Sequence, residues 1–116
     1  MSNARLLIAN RGEIALRVMR SATERGLETV AIHGPDDADS LHVARADSAV
    51  LIPSHGPAAY LDAAVIVAAA RAQNCQFLHP GYGFLAEQGD FASAVEQAGI
   101  TFVGPTPADR KSTRLN

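Results

Sequence analysis

Arg5-Leu6-Leu7-Ile8-Ala9-Asn10-Arg11-Gly12-Glu13-Ile14-Ala15-Leu16-Arg17-Val18-Met19-Arg20-Ser21-Ala22 sets the architecture of this chain. Residues 5–9 form a short apolar run of the kind a strand buried on both faces shows. Asn10-Arg11-Gly12 interrupts it. From Glu13 onward, Ile14, Ala15, Val18, Met19 and Ala22 fall at helical spacing and make one apolar stripe. Arg17, Arg20 and Glu24 lie off that stripe, and Glu13 in the first turn suits the positive end of the helix dipole. Gly26 is the expected residue just past the helix, where a left-handed backbone conformation favours glycine.

Working outward, the same alternation recurs. Residues 28–32 read as a second strand, Gly34-Pro35-Asp36-Asp37 as a solvated turn, and Ser40 as the cap of a short helix over residues 41–45. A third strand covers residues 49–52 and stops at Pro53. Pro57 stands where a proline starts a helix, which continues over residues 58–71 with Leu61, Ala64, Val65 and Ala68 inward. Residues 76–78 make a fourth strand, Asp90 caps a helix over residues 91–98 closed by Gly99, and residues 100–103 make a fifth strand. Strands alternating with helices at short intervals imply right-handed crossovers, hence an α/β fold with a parallel five-stranded sheet and helices on both faces. Ligands of such sheets bind beyond the carboxyl ends of the strands. That directs attention to residues 10–12, 33–35, 53–56, 79–83 and 104–105.

Composition narrows the function classes. The chain has 116 residues, a net charge of −2 and one cysteine, which fits one domain without an internal disulfide or a cysteine-based zinc site. Ten basic and twelve acidic residues are interspersed, so no basic footprint for nucleic acid exists. No apolar run reaches the about 18 residues of a membrane span, and a cytoplasmic location is expected. Alanine fills 22 positions and tryptophan none, which suits helices packed closely on a sheet.

Few residues carry chemistry by themselves. The first turn holds one glycine, Gly12, rather than the three of a dinucleotide fingerprint, so Arg11 reads as a rim residue making structural hydrogen bonds. His33, His42, His55 and His79 lack the spacing of a metal site and read as capping or surface residues. Asp36, Asp37 and Asp39 lack the glycine and terminal glutamate of a calcium loop. Cys75 reads as a small buried hydrophobe. No catalytic residue is assigned. The unusual stretch is His79-Pro80-Gly81-Tyr82-Gly83-Phe84, whose glycines let a ligand approach the backbone closely; by itself the pattern serves structure and binding equally.

Taken together, three segments resemble the biotin carboxylase family: Ile8-Ala9-Asn10-Arg11-Gly12-Glu13-Ile14-Ala15, His79-Pro80-Gly81-Tyr82-Gly83-Phe84-Leu85-Ala86-Glu87 and Phe102-Val103-Gly104-Pro105. Tyr60-Leu61, His42-Val43 and Ala46-Asp47 are also similar to the family at matching places, and the likeness covers roughly residues 4–108. It implies a Rossmann-like lobe that precedes an ATP-grasp fold. It also implies, for the parent enzyme, formation of carboxybiotin from bicarbonate, ATP and biotin, with Mg2+. Tyr82 and Gly83 inherit a biotin-binding role within an active-site loop that includes His79, Pro80, Gly81 and Phe84. Arg20 and Glu24 match positions of a homodimer interface. Implied partners are the ATP-grasp and C-terminal lobes, a biotin carboxyl carrier protein and a carboxyltransferase.

Two expectations attach to this likeness. Residues 1–108 form the lobe as a fragment inactive alone, because the family's nucleotide, metal and bicarbonate ligands lie beyond it. Residues 109–116, Asp109-Arg110-Lys111-Ser112-Thr113-Arg114-Leu115-Asn116, read as an unstructured tail that, when back-translated, looks like a sequencing adapter read in frame. The alternative is a stand-alone flavodoxin-like nucleotide- or flavin-binding module.

Overall fold

The computed structural model describes residues 4–53, 56–81 and 89–103. Five parallel strands, β1 (Arg5–Ile8), β2 (Glu28–His33), β3 (Ser48–Leu51), β4 (Phe77–His79) and β5 (Thr101–Phe102), stand in the order β3-β2-β1-β4-β5. Among the described residues, four α-helices connect them: α1 (Gly12–Glu24), α2 (Leu41–Arg45), α3 (Ala63–Ala72) and α4 (Gly89–Gln97). This order is the Rossmann arrangement, with two consecutive outward steps on each side of β1. A flavodoxin-like sheet instead reverses direction after its second strand.

Strand order places the helices. From β1 the chain moves through β2 to β3 in one direction, then crosses back past β1 to β4 and β5. Right-handed crossovers in opposite directions put α1 and α2 on one face and α3 and α4 on the other. Adjacent residues of β1 therefore serve different cores. Leu6 and Ile8 pack with Ala15, Met19 and Ala22 of α1. Leu7 packs with Val30, Leu78, Ile66 of α3 and Val95 of α4. Each large aliphatic side chain so buried contributes about 1.5–3 kcal/mol, and β1, paired on both sides, anchors both layers.

Helix ends follow one device. Beyond α1, Leu27 N donates to Ala22 O and Gly26 N to Thr23 O, each at 3.0 Å, with Gly26 at φ +81° as expected from the sequence. Gly99 closes α4 in the same way at φ +83°. Asn74, at φ +57°, ends α3 with Cys75 N donating to Ala70 O at 2.9 Å. Asparagine tolerates that conformation because its short polar side chain bonds locally.

Several local expectations are corrected. The helix expected over residues 58–71 is broken: a 3-10 turn covers Gly56–Tyr60, and α3 starts afresh at Ala63 because the Asp62 carboxylate accepts a 3.3 Å bond from Val65 N. The phase shifts accordingly. Ile66, Ala69 and Ala70 are buried, whereas Leu61 is 44% exposed and Ala64 and Ala68 face solvent. Ser40 stands at the start of α2 without capping it through its side chain; its carbonyl accepts from Val43 N and Ala44 N instead. Asp90 sits inside the first turn of α4. Residues 109–116 lie outside the described residues.

Candidate functional site

At the carboxyl ends of β1 and β4 the sheet switches direction. α1 packs on one face and α4 on the other, and in open sheets of this strand order the switch point is where a ligand crevice is expected. The last ladder bond there is Ala9 N to His79 O, 2.9 Å. Beyond it one side chain spans the gap. Asn10, 1% exposed, donates from Nδ2 to Pro80 O at 2.9 Å and accepts from Arg11 N through Oδ1 at 2.8 Å. A buried amide with both ends engaged offsets its desolvation.

Gly81 completes this contact. Its φ is +70°, and a Cβ there would lie 2.6 Å from Asn10 Nδ2 and 2.8 Å from Ile14 Cγ2. Glycine is required both by the backbone conformation and by the approach of α1. Gly81 N donates to His79 Nδ1 at 2.9 Å, so that nitrogen is an acceptor and the ring is neutral. Burial agrees, lowering the His79 pKa below the ordinary histidine value. His79, Pro80 and Gly81 thus come together with the Asn10-Arg11 turn. Tyr82, Gly83 and Phe84 lie outside the described residues.

A second constellation supports the rim on the β2 side. Arg11 Nη2 pairs with Asp37 Oδ1 at 3.6 Å, and its guanidinium stands 5.7 Å from the centre of the Tyr60 ring. Tyr60, fully buried, donates to Asp37 Oδ2 at 2.8 Å. Its hydroxyl lies 3.5 Å from His42 Nε2, which donates to Ile32 O at 3.1 Å. Desolvation and the adjacent Asp37 carboxylate push the Tyr60 phenol above its ordinary pKa, and burial lowers that of His42. The rim role read for Arg11 holds. Two readings do not: His42 is 2% exposed, a core residue rather than a surface one, and Asp37 is the hub of this network rather than part of a solvated turn.

Sequence reasoning missed Asn10, Asp37, Tyr60 and His42 as a set. The one signal available was a polar residue, Asn10, set directly against a buried strand. Arg20 and Glu24 are exposed on α1, away from the crevice. On the α1 face, a groove of about 560 Å³ is lined by Leu6, Val18, Leu27, Phe77, His79 and Val103. Among the described residues no group of three or more His, Cys, Asp or Glu could hold a metal ion. No described helix is long and apolar enough to cross a membrane.

Comparison with known proteins gives this geometry a family. The chain is 50% identical over 103 residues to the biotin carboxylase of Pseudomonas aeruginosa, covering 88% of this chain and 23% of that protein. The biotin carboxylase domain of a single-chain bacterial carboxylase superposes with a TM-score of 0.88 at 52% identity, over 91% of this chain and 25% of that one. The biotin carboxylase domain dimer of Hydrogenobacter thermophilus 2-oxoglutarate carboxylase, in complex with MgADP, ADP and bicarbonate, gives 0.86 at 44% identity, over 91% and 23%. The chain thus spans about a quarter of the length of these relatives. Residues 2–109 match the family model of the biotin carboxylase N-terminal domain, and the chain belongs to that family.

Proposed function

We propose that this chain serves as the N-terminal lobe of an ATP-dependent biotin carboxylase, a ligase that forms carboxybiotin from bicarbonate, ATP and biotin held on a carrier protein. The observation that carries this reading is the family match across residues 2–109. Tyr82 and Gly83 border the ureido ring, with His79, Pro80, Gly81 and Phe84 in the same loop. The Asn10–Pro80 contact and the positive φ of Gly81 support the assignment, because they fix the start of that loop at the carboxyl end of β4. A tyrosine face and a backbone free of side chains suit a flat, uncharged ring.

ATP, Mg2+ and bicarbonate are bound by the ATP-grasp and C-terminal lobes of the parent enzyme. This lobe orients biotin and walls its cleft. Arg20 and Glu24 contribute to a homodimer contact, a reading supported by their exposure on α1. The carrier protein and a carboxyltransferase are the further partners, and the cytoplasm is the expected compartment.

The test is a chimaera in which residues 1–108 replace the matching N-terminal segment of the Pseudomonas aeruginosa biotin carboxylase. ADP release that depends on both free biotin and bicarbonate is the expected result. A chimaera that folds and binds nucleotide yet shows no such dependence overturns the reading. Family membership and the Rossmann strand order leave the flavodoxin-like alternative without a supporting observation.

A further inference from the structure

We infer that Asn10 is a positioning residue for biotin, acting through the backbone of Pro80 and Gly81; the inference rests on the function proposed above. The main chain does not do this work. Among the described residues, Ala9 N to His79 O is the last backbone bond between the ends of β1 and β4, and α1 and α4 pack on opposite faces of the sheet. Asn10 replaces the missing rung with a side chain. Its amide reaches Pro80 O at 2.9 Å, a carbonyl that follows a strand and precedes a glycine, so neither neighbour constrains it in a ladder.

The residue type is specific. An aspartate would keep the acceptor for Arg11 N but set a carboxylate oxygen against the Pro80 carbonyl. An alanine would lose both bonds and leave Pro80 O unpaired by Asn10. Glutamine is one methylene too long for a site in which Asn10 is 1% exposed. Gly81 closes the opposite side: the absence of its Cβ is what lets Asn10 Nδ2 approach, since that atom would stand 2.6 Å away. Asn10 and Gly81 therefore fix together the height and direction at which the chain departs from β4.

Steady-state kinetics of the chimaeric enzyme described above, with free biotin as the varied substrate, tests this. Asn10→Asp retains the turn acceptor and is the main variant; Asn10→Ala and Gly81→Ala approach the same contact from its two sides. The KM for biotin is expected to rise about tenfold in each, the worth of one buried hydrogen bond, while the KM for ATP stays within about twofold. A merely structural residue would instead reduce the amount of active enzyme, lowering kcat and leaving both KM values in place. That outcome overturns the inference, as do unchanged kinetics or equal rises in both KM values. If the Asn10 variants do not fold, Gly81→Ala alone decides the question by the same split. An unmutated chimaera without biotin dependence sinks the proposed function, whereas an active one whose variants keep the biotin KM sinks only the role of Asn10.

Discussion

The hydroxyl of Tyr60 donates a 2.8 Å hydrogen bond to the carboxylate of Asp37, across 23 positions of sequence and beneath the guanidinium of Arg11. This bond joins the turn after β2 to the turn before α3, and both to the loop after β1. A phenylalanine at position 60 preserves the ring packing and removes the donor. Tyr60→Phe is expected to cost about 1.5–3 kcal/mol in urea denaturation, the range for hydrogen bonds to charged groups, and Tyr60→Ala about 3–5 kcal/mol. Equal stability of the phenylalanine variant and the parent chain would show that Arg11 alone satisfies Asp37.

Stability should depend on pH through two histidines. Burial lowers the pKa of both His42 and His79 in the folded chain. As pH falls, the unfolded chain takes up those protons first, at about 6.5, so the unfolded state gains. Their contribution is therefore complete above pH 6.5 and is lost as pH falls toward the folded values. The midpoint of thermal unfolding is expected to drop from pH 7.5 to pH 5, and His42→Gln to flatten part of that slope. A midpoint that rises on acidification contradicts this.

Two glycines with similar backbone angles separate strain from crowding. Gly26 has φ +81° with nothing within 4 Å of a Cβ, so Gly26→Ala meets only the backbone penalty of about 1–2 kcal/mol. Gly81 meets that penalty and also the side chains of Asn10 and Ile14, which adds about 1–3 kcal/mol of overpacking. Denaturation midpoints of the two alanine variants measure the difference directly. Equal losses would mean that the contact at Gly81 relaxes freely.

Cys75 should be inert in the folded chain. It is buried between α3 and β4, and burial pushes its thiol from 9.0 to about 11. At pH 8 the thiolate fraction falls about a hundredfold, before any steric protection is added. Alkylation by iodoacetamide is expected to be slow in buffer and fast in denaturing urea. Comparable rates in the two solvents would place the thiol at the surface.

How far the fold is legible in the sequence depends on where each signal originates. The stripe on α1, Gly26 beyond it and the apolar run of β1 are local patterns, and all three appear where the residues predict them. The start of α3 is ambiguous in the sequence because Pro57 and Asp62 both signal one, and periodicity alone does not rank them. The capping bond to Val65 N settles the matter only once the chain has turned after Tyr60. The end of α3 is obscured for a related reason: Asn74 takes the left-handed position that glycine takes after α1 and α4.

The candidate site divides in the same way. His79-Pro80-Gly81 stands out in the chain because proline and glycine restrict or free the backbone wherever they occur. Asn10 and Pro80 are 70 residues apart, and Asp37 and His42 come from the connection between β2 and β3 whereas Tyr60 comes from that between β3 and β4. No spacing rule links them. Their residue types are ordinary for turns and short helices, so each reads as solvated until its partners are known.

Local chemistry in the sequence was thus sufficient for the class of fold and the parallel strands. Hydrophobic periodicity and turn residues act over a few positions and need no partner to be read. Strand order, the burial of His42 and the bridge from Asn10 to Pro80 belonged to the tertiary structure alone. Each depends on which distant backbone a side chain meets after the sheet has formed, and a hydrogen bond reaching about 3 Å has no counterpart in linear distance.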